Sequence, residues 1–486
     1  MAALSSTTRL SNLSSDTPVL QAIEEGALAL NLSMGACSNA FAITLATELR
    51  YNSSLVSLDL GCNQLKDAAA FATMLTTNTT LSSLDLYANP IGDEGAELLA
   101  VSLAANSTLR SLSLGDTRLT GVGAAHLATA LATNNALRSI CLFNNSLGDE
   151  GVGHIATALT TNSTLESLNL DCTLIEDAGA KALATALATN SSLSALSLWN
   201  NQLTDVAAEG LATALKTNTA LTSLNLWTNQ FGAAGAAHFA SALGTNSTLS
   251  SLQLWHNPLM DAGVVALATG LAVNSGISTL DLRDAQFTDA GAEALAIALR
   301  VNSTLTFLNL GFNQLTNAGA IHLATALTTN RTLTTLLLKN NQIGAEGTGA
   351  LTAMLSANGV LTSIEVGEAR HPPAMGVLIE RNLHNKEAKV SLQTLCARAL
   401  VKDVFQRSDE STKRVVQEAL WIHFYLSNGE MTGGEINVYR LWSTFAQAVQ
   451  SNRIDLGRQT IEHFDLRSRL FADKAVLYIE KTFNMP

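Results

Sequence analysis

The chain has 486 residues, enough for an extended array plus one small domain. Its net charge is −12 and lies unevenly: residues 1–370 carry 13 Lys+Arg against 27 Asp+Glu, a balance of −14, and the remainder 15 against 13, a balance of +2. An acidic region with no Lys/Arg stripe argues against a phosphate-backbone ligand there, and no stretch approaches about 18 consecutive apolar residues, so no membrane span is expected.

The N-terminus, from Met1 to about residue 18, is rich in Ser and Thr, with Arg9 and a single acid, Asp16. It has no apolar signal-peptide core and reads as a disordered leader, with a transit peptide as the alternative. Residues 1–26 are assigned to this leader and an N-terminal cap. Leu30 and Leu32 sit 28 residues before Leu58 and Leu60 and mark a degenerate first unit.

From Leu55 one unit recurs: L-x-x-L-x-L-x-x-N-x-L, a short Ala-rich helical stretch, then Asn-Ser-Thr. The lead positions are Leu55, Leu81, Leu109, Leu137, Leu165, Leu193, Leu221, Leu249, Ile277, Leu305, Leu333 and Leu361; the first step is 26 residues and every later one 28. A period in the twenties with this spacing predicts a solenoid, whose one long sheet offers a binding surface rather than a catalytic pocket.

Each unit can be read physically. Leu58 and Leu60 alternate along a short strand and point into the core; Ser57 and Asp59 point to the opposite face. Asn63 and its counterparts Asn89, Asn145, Asn201, Asn229, Asn257, Asn313 and Asn341 end the strands, where an amide can bond orphaned backbone groups of its own and the neighbouring repeat. Thr117, Thr173 and Ala285 replace that Asn, so looser turns are expected there. In Thr288-Asp289, Thr or Asp can cap the following helix, which runs Leu295-Ala-Ile-Ala-Leu299 with one apolar face. A column of glycines, including Gly123, Gly179 and Gly319, allows close packing of neighbouring units.

The clearest copies are Leu193-Ser-Ala-Leu196-Ser-Leu198-Trp-Asn-Asn201-Gln-Leu203 and Leu305-Thr-Phe-Leu308-Asn-Leu310-Gly-Phe-Asn313-Gln-Leu315. The repeat resembles the leucine-rich repeats of the ribonuclease-inhibitor type, found also in NOD-like receptors and Ran GTPase-activating proteins. The resemblance covers residues 27–384, about 13 repeats and a closing helix. It implies a right-handed solenoid with a parallel concave sheet, outer helices and binding on the concave face; it does not imply one function, because the same repeat serves many binders.

The position after the third core residue of each strand reads Gly61, Tyr87, Gly115, Phe143, Asp171, Trp199, Trp227, Trp255, Arg283, Gly311, Lys339, Gly367. Three of the chain's five tryptophans stand in register. Stacked repeats place equivalent residues about 5 Å apart, so Trp199, Trp227 and Trp255 should form a ladder, bracketed by Asp171 and Arg283. The next position adds Asn200, Thr228, His256, Asp284 and Phe312. Aromatics rimmed by polar groups read as a protein-binding hot spot, and the candidate site is Tyr87, Phe143, Asp171, Trp199, Asn200, Trp227, Trp255, His256, Arg283 and Asp284. The competing reading is structural, with the rings stacking to stabilise the array; tryptophan is common at this position in the family the repeat resembles. Both can hold at once.

Five cysteines, an odd number without a C-x-x-C pair, read as reduced thiols in a cytoplasmic protein; an organellar setting is the alternative if the leader is a transit peptide. The N-x-S/T triplets at Asn106, Asn162, Asn190, Asn246 and Asn302 match glycosylation acceptors but read better as the helix-to-strand turn. His126, His154, His238 and His322 fall in helices without a carboxylate set, so no metal is expected. No nucleophile elbow, H-E-x-x-H or phosphate loop is present, and Asp59, Asp85, Asp281 and Glu365 lie in separate repeats, so neither an enzyme nor a cofactor is expected.

His371-Pro372-Pro373 breaks the pattern, and residues 374–384 read as a helix closing the open core. Residues 385–486 are expected to form an α-helical domain, with helices near 387–407, 411–427, 434–451 and 456–482 and Trp421 and Trp442 in its core; it could dock a second partner or dimerise. The expected function is a non-enzymatic protein-interaction scaffold, a soluble adaptor or a stable subunit of a larger assembly. The alternatives drawn from the resemblance are a regulator of a small GTPase, with Arg118 as a weak arginine candidate, and a NOD-like sensing or inhibitory solenoid.

Overall fold

The computed structural model describes residues 8–9, 17–34, 37–367 and 373–388. The chain divides into two units, Met1–Leu383 and His384–Pro486. The expected helices beyond residue 388, with Trp421 and Trp442, lie outside the described residues.

The solenoid is a single sheet of fourteen parallel strands among the described residues, each paired only with its sequence neighbours. Most strands are three residues long, with the middle side chain buried and its two neighbours half-exposed, as in Ser57–Asp59 and Ser223–Asn225. That pattern follows from the two-residue strand period. Register is kept by the core: Leu58 pairs with Leu84, Leu84 with Leu112, and Leu252 with Leu280. Slipping by one residue would turn every leucine outward.

A helix follows each strand from the degenerate first unit through the penultimate one, and packs on the next repeat's helix. In Asp205–Leu215 the buried side chains are Ala207, Ala208, Leu211, Ala212, Ala214 and Leu215, the spacing of one helical face. The small alanines let adjacent helices approach closely while the leucines reach the core. One continuous apolar cluster runs from Val19 to Met375. Burying one leucine contributes roughly 1.5–3 kcal/mol, and no single repeat can bury its leucines alone, so the array is held by its neighbour contacts.

Two ladders of asparagine fasten those contacts. At the strand ends, Asn63 donates from Nδ2 to Leu60 O (2.7 Å) and to Leu32 O of the preceding unit (2.8 Å), and its Oδ1 accepts from Cys37 N (3.0 Å). At the helix ends, Asn190 donates to Leu159 O (2.8 Å) and Asn162 O (2.9 Å) and accepts from Ser192 N and Leu193 N. Asn106, Asn162, Asn190, Asn246 and Asn302 are all buried with their amides committed in this second ladder. The N-x-S/T triplets are therefore interior turns in the folded array.

The turns expected to be looser divide into two kinds. Thr117 and Thr173 are fully buried, and their hydroxyls donate to Leu114 O and Leu170 O at 2.6 Å, which closes the turn. They lack the amide's second reach to the preceding repeat. Ala285 replaces neither bond, but its N–H is still held by Asn313 Oδ1 at 2.9 Å. At Thr117 and Thr173 the loss falls on the inter-repeat bond alone; at Ala285 the bond within the turn is lost too.

Helix capping also differs from the expectation. Thr288 does cap its own helix, accepting from Ala290 N at 3.4 Å. Asp289 instead serves the next repeat: its Oδ1 accepts from Thr316 N (2.8 Å) and Gly319 N (2.9 Å) and its Oδ2 from Thr316 Oγ1 (2.5 Å). Asp149 does the same for Glu176 N and Gly179 N, and a Cβ added at Gly179 would lie 2.6 Å from its Oδ1. The glycine column thus makes room for a carboxylate arriving from the preceding helix.

The ends are covered. At the N-terminal end Thr8–Arg9 pair as a strand with Leu30–Asn31, and the helix Thr17–Glu24 buries Val19 and Ile23. At the other end the helix Pro373–Ala388 buries Met375. Asn382 there continues the helix-end ladder to Asn358 O and Leu361 O, and Arg381 donates to Leu355 O, Ser356 O and Asn358 O. An open array end exposes apolar side chains and unmet carbonyls, which these two segments satisfy.

Candidate functional site

The sheet's open face is lined by short polar side chains, and many of its acidic or amide groups turn inward on the backbone. Asp85 Oδ1 accepts from Tyr87 N (2.8 Å), Asn225 Oδ1 from Trp227 N (3.1 Å), and Asp281 Oδ1 from Arg283 N (2.9 Å). Each bond fixes the backbone two residues on, where the aromatic column stands. Ser197 occupies this place before Trp199, and there Asp171 acts from the preceding repeat, accepting from Trp199 N (2.7 Å) and Ser197 Oγ (2.5 Å).

The column forms a longer stack than the sequence spacing alone predicts. Trp199 and Trp227 stack with centroids 4.6 Å apart, and Trp227 and Trp255 at 3.8 Å. Phe143 stacks on Trp199 at 6.0 Å and Tyr87 on Phe143 at 6.4 Å, although a whole repeat lies between the members of each pair. The intervening residues are Asp171 and Gly115. Gly115 has no side chain to intervene; a Cβ there would sit 3.1 Å from Tyr87 Cδ2. Asp171 folds its carboxylate down onto the backbone, so the rings on either side lean together above it.

Beyond Trp255 the stack continues through a cation. The Arg283 guanidinium carbon lies 3.9 Å from the Trp255 ring centre and 4.2 Å from that of Phe312. Phe312 is not among the site residues expected from the sequence, because it occupies the next column position, one repeat further on. A diagonal reading of adjacent columns would have found it.

Two expectations change with this geometry. Asp171 does not bracket the ladder from outside: it is buried beneath the Phe143–Trp199 contact. Burial raises the pKa of its carboxyl above the ordinary range, against the lowering effect of the bonds from Ser197 and Trp199. Arg283 is no end bracket either; it is inserted between two rings. Asn200 and His256 are exposed and Asp284 half-buried beside the stack; His256 Nδ1 and Asp284 Oδ2 are 2.5 Å apart, and Asn200 Nδ2 reaches Cys172 Sγ at 3.2 Å. All three residues have left-handed backbone, with φ of 52°, 55° and 50° for Asn200, His256 and Asp284.

Elsewhere, Arg118 is exposed in a loop, also with positive φ. His126, His154, His238 and His322 sit exposed or half-buried on their helices. Among the described residues no cluster of His, Cys, Asp or Glu is arranged to hold a metal, and no helix is long and apolar enough to cross a membrane.

The chain matches a family model described as Leucine Rich repeat at residues 51–72, 77–100, 105–128, 161–184, 245–268, 273–296, 301–324 and 329–351. These stretches are leucine-rich repeats. Each match lies on strand–helix units of the parallel sheet, three in a row from residue 51, one at 161–184 and four in a row from residue 245. No curated protein matches the chain. Among solved structures it is similar to an internalin from Listeria monocytogenes, with 20% identity, 68% of this chain and 80% of that one covered and a TM-score of 0.42. It is also similar to the yeast Rad7 and Elc1 complex, with 17% identity, coverage of 70% and 78% and a TM-score of 0.42. Leiomodin-1 actin-binding site 2 matches at 22% identity over 37% of this chain and 90% of that one, with a TM-score of 0.27. Leucine-rich repeats generally mediate protein–protein interaction.

Proposed function

We propose that the chain is a non-enzymatic protein-interaction scaffold, a soluble adaptor or a stable subunit of a larger assembly, which binds a partner protein on the open sheet face. The docking site is centred on Trp199, Trp227 and Trp255, with Tyr87, Phe143 and Arg283 extending the strip and Asn200, His256 and Asp284 on its rim. One observation carries this reading. Three stacked indoles remain half-exposed on a face whose other strand side chains are mostly short and polar. Large aromatics in a polar surround are where interface energy concentrates. Stacking within the array supplies their rigidity, which lowers the ordering cost of binding. The structural and binding roles of the ladder therefore support each other. A cytoplasmic setting goes with this reading, on the odd-numbered cysteines taken as thiols.

The test is affinity purification of the intact chain from its source, in parallel with a variant carrying alanine at Trp199, Trp227 and Trp255, followed by mass spectrometry. Proteins retained by the native chain and lost by the folded variant are expected. Recovery of the same proteins by both would contradict the site. Recovery of a small GTPase only in its activated form would favour a GTPase regulator instead.

A further inference from the structure

The chemistry that the ladder presents to a partner is narrower than its aromatic content suggests. The indole faces are covered by one another, and Trp255 and Phe312 are covered on one side by Arg283. A partner therefore meets ring edges, and an aromatic edge carries the positive end of the ring quadrupole. None of the three indole N–H groups has a hydrogen-bond partner among the described residues, and none is sealed from solvent. An indole N–H only donates.

Arg283 extends this donor edge. Its Nε is buried without a hydrogen-bond partner, and among the described residues no carboxylate oxygen lies within ion-pair distance of it. This is unusual in a region so rich in acids. The two nearest in sequence are engaged elsewhere: Asp281 with Arg283 N and Asn309 Nδ2, Asp284 with His256. Asp281 feels the guanidinium charge but does not contact it. A guanidinium held between two rings is fixed in place, and with no carboxylate of its own among the described residues its planar fork is left to read one from a partner.

We propose that the ladder's edge is a carboxylate-reading strip: an acidic segment of the partner protein lies along it, with a Glu or Asp side chain docked on Arg283 and acceptor oxygens facing the indole N–H row. This rests on the ladder being the docking face and specifies the partner's chemistry. A basic partner, which the chain's overall charge would attract, finds the carboxylates nearest the stack already engaged, Asp171 and Asp281 with the backbone and Asp284 with His256.

The probe is an acetylated, amidated octaglutamate peptide titrated into the full chain, read by tryptophan fluorescence and calorimetry, with octalysine in parallel. Saturable binding of octaglutamate alone is expected. Arg283→Gln should weaken it at least tenfold, and Arg283→Lys, which keeps the charge but loses the planar fork, should weaken it severalfold. Arg331→Gln, at an exposed arginine off the ladder, should leave it unchanged. Should Arg283→Gln unfold, the Arg283→Lys variant decides. Absence of saturable octaglutamate binding, affinity indifferent to Arg283, or preference for octalysine would each overturn the proposal. The partner lost by the triple-tryptophan variant would in that case still mark the ladder as the docking face.

Discussion

Thr228 stands beside Trp227 with φ at +51°, a left-handed conformation that is costly for a β-branched residue. Asn144, Asn200 and Asn340 occupy the equivalent place with φ between 52° and 56°. Thr228→Asn should therefore raise stability by about 1 kcal/mol, read as a shift of the urea midpoint; an unchanged or lowered midpoint would show that the threonine packing outweighs the strain. The buried carboxylate at Asp171 gives a second prediction. Its folded pKa is raised by burial, so the folded state holds its proton more tightly than the unfolded chain does. Its contribution is then fully present below the unfolded value and is lost as pH rises through the folded one. Asp171→Asn keeps an oxygen for Trp199 N and Ser197 Oγ, so it should raise Tm at pH 7 and lose that advantage at about pH 3. Asp261 behaves oppositely. Burial alone would raise it, but the bonds from Thr288 and Gly291 outweigh burial and hold its pKa below the ordinary value. Its contribution is present above the unfolded pKa and is lost as pH falls through the lower folded one. Asp261→Ala should cost about 1 kcal/mol at pH 7, the worth of a helix cap, and little in strong acid.

Between elements, the two asparagine ladders and the forward-reaching aspartates do what no single repeat can do for itself. The strand-end asparagine was legible because it recurs at a fixed place where a strand must shed its ladder bonds. The direction of Asp289 was not legible, since its partners Thr316 and Gly319 lie 27 and 30 residues on and a local window shows only its own helix. The extent of the aromatic stack was hidden for a related reason. Alignment of one column found the three tryptophans, but Gly115 and Asp171 read as gaps, and only geometry shows rings meeting across them. Asn190 tests the helix-end ladder directly. Asn190→Ala removes two donated and three accepted bonds and leaves Leu159 O and Asn162 O without their buried partner. A loss of about 2–4 kcal/mol is expected from urea unfolding, against less than about 0.5 kcal/mol for the exposed Ser191→Ala. Equal effects would mean that water replaces the amide.

At the scale of the whole molecule, stability is a sum of repeat-to-repeat interfaces, and the ends decide where it frays. The closing helix was readable from the Pro-Pro break and the apolar residues after it. The N-terminal strand and helix were not, because Thr8–Arg9 is too short to show a pattern and is defined by the edge it covers. Arg381→Ala removes three bonds to the last carbonyls of the preceding helix. Hydrogen exchange should then speed up first around residues 345–366 and leave the central repeats protected; uniform acceleration would contradict independent repeats. The same rigidity underlies the proposed function, since a stacked strip held by fourteen strands meets its partner with little left to order. The most direct measurement is the affinity of the native chain's purified partner for the Trp199/Trp227/Trp255 triple-alanine variant. Stacked pairs contribute about 0.5–1.5 kcal/mol each beyond burial, so the fold should survive their loss. The account predicts at least a tenfold fall in affinity, about 1.4 kcal/mol, in a variant that still unfolds cooperatively. Unchanged affinity in that folded variant would contradict it.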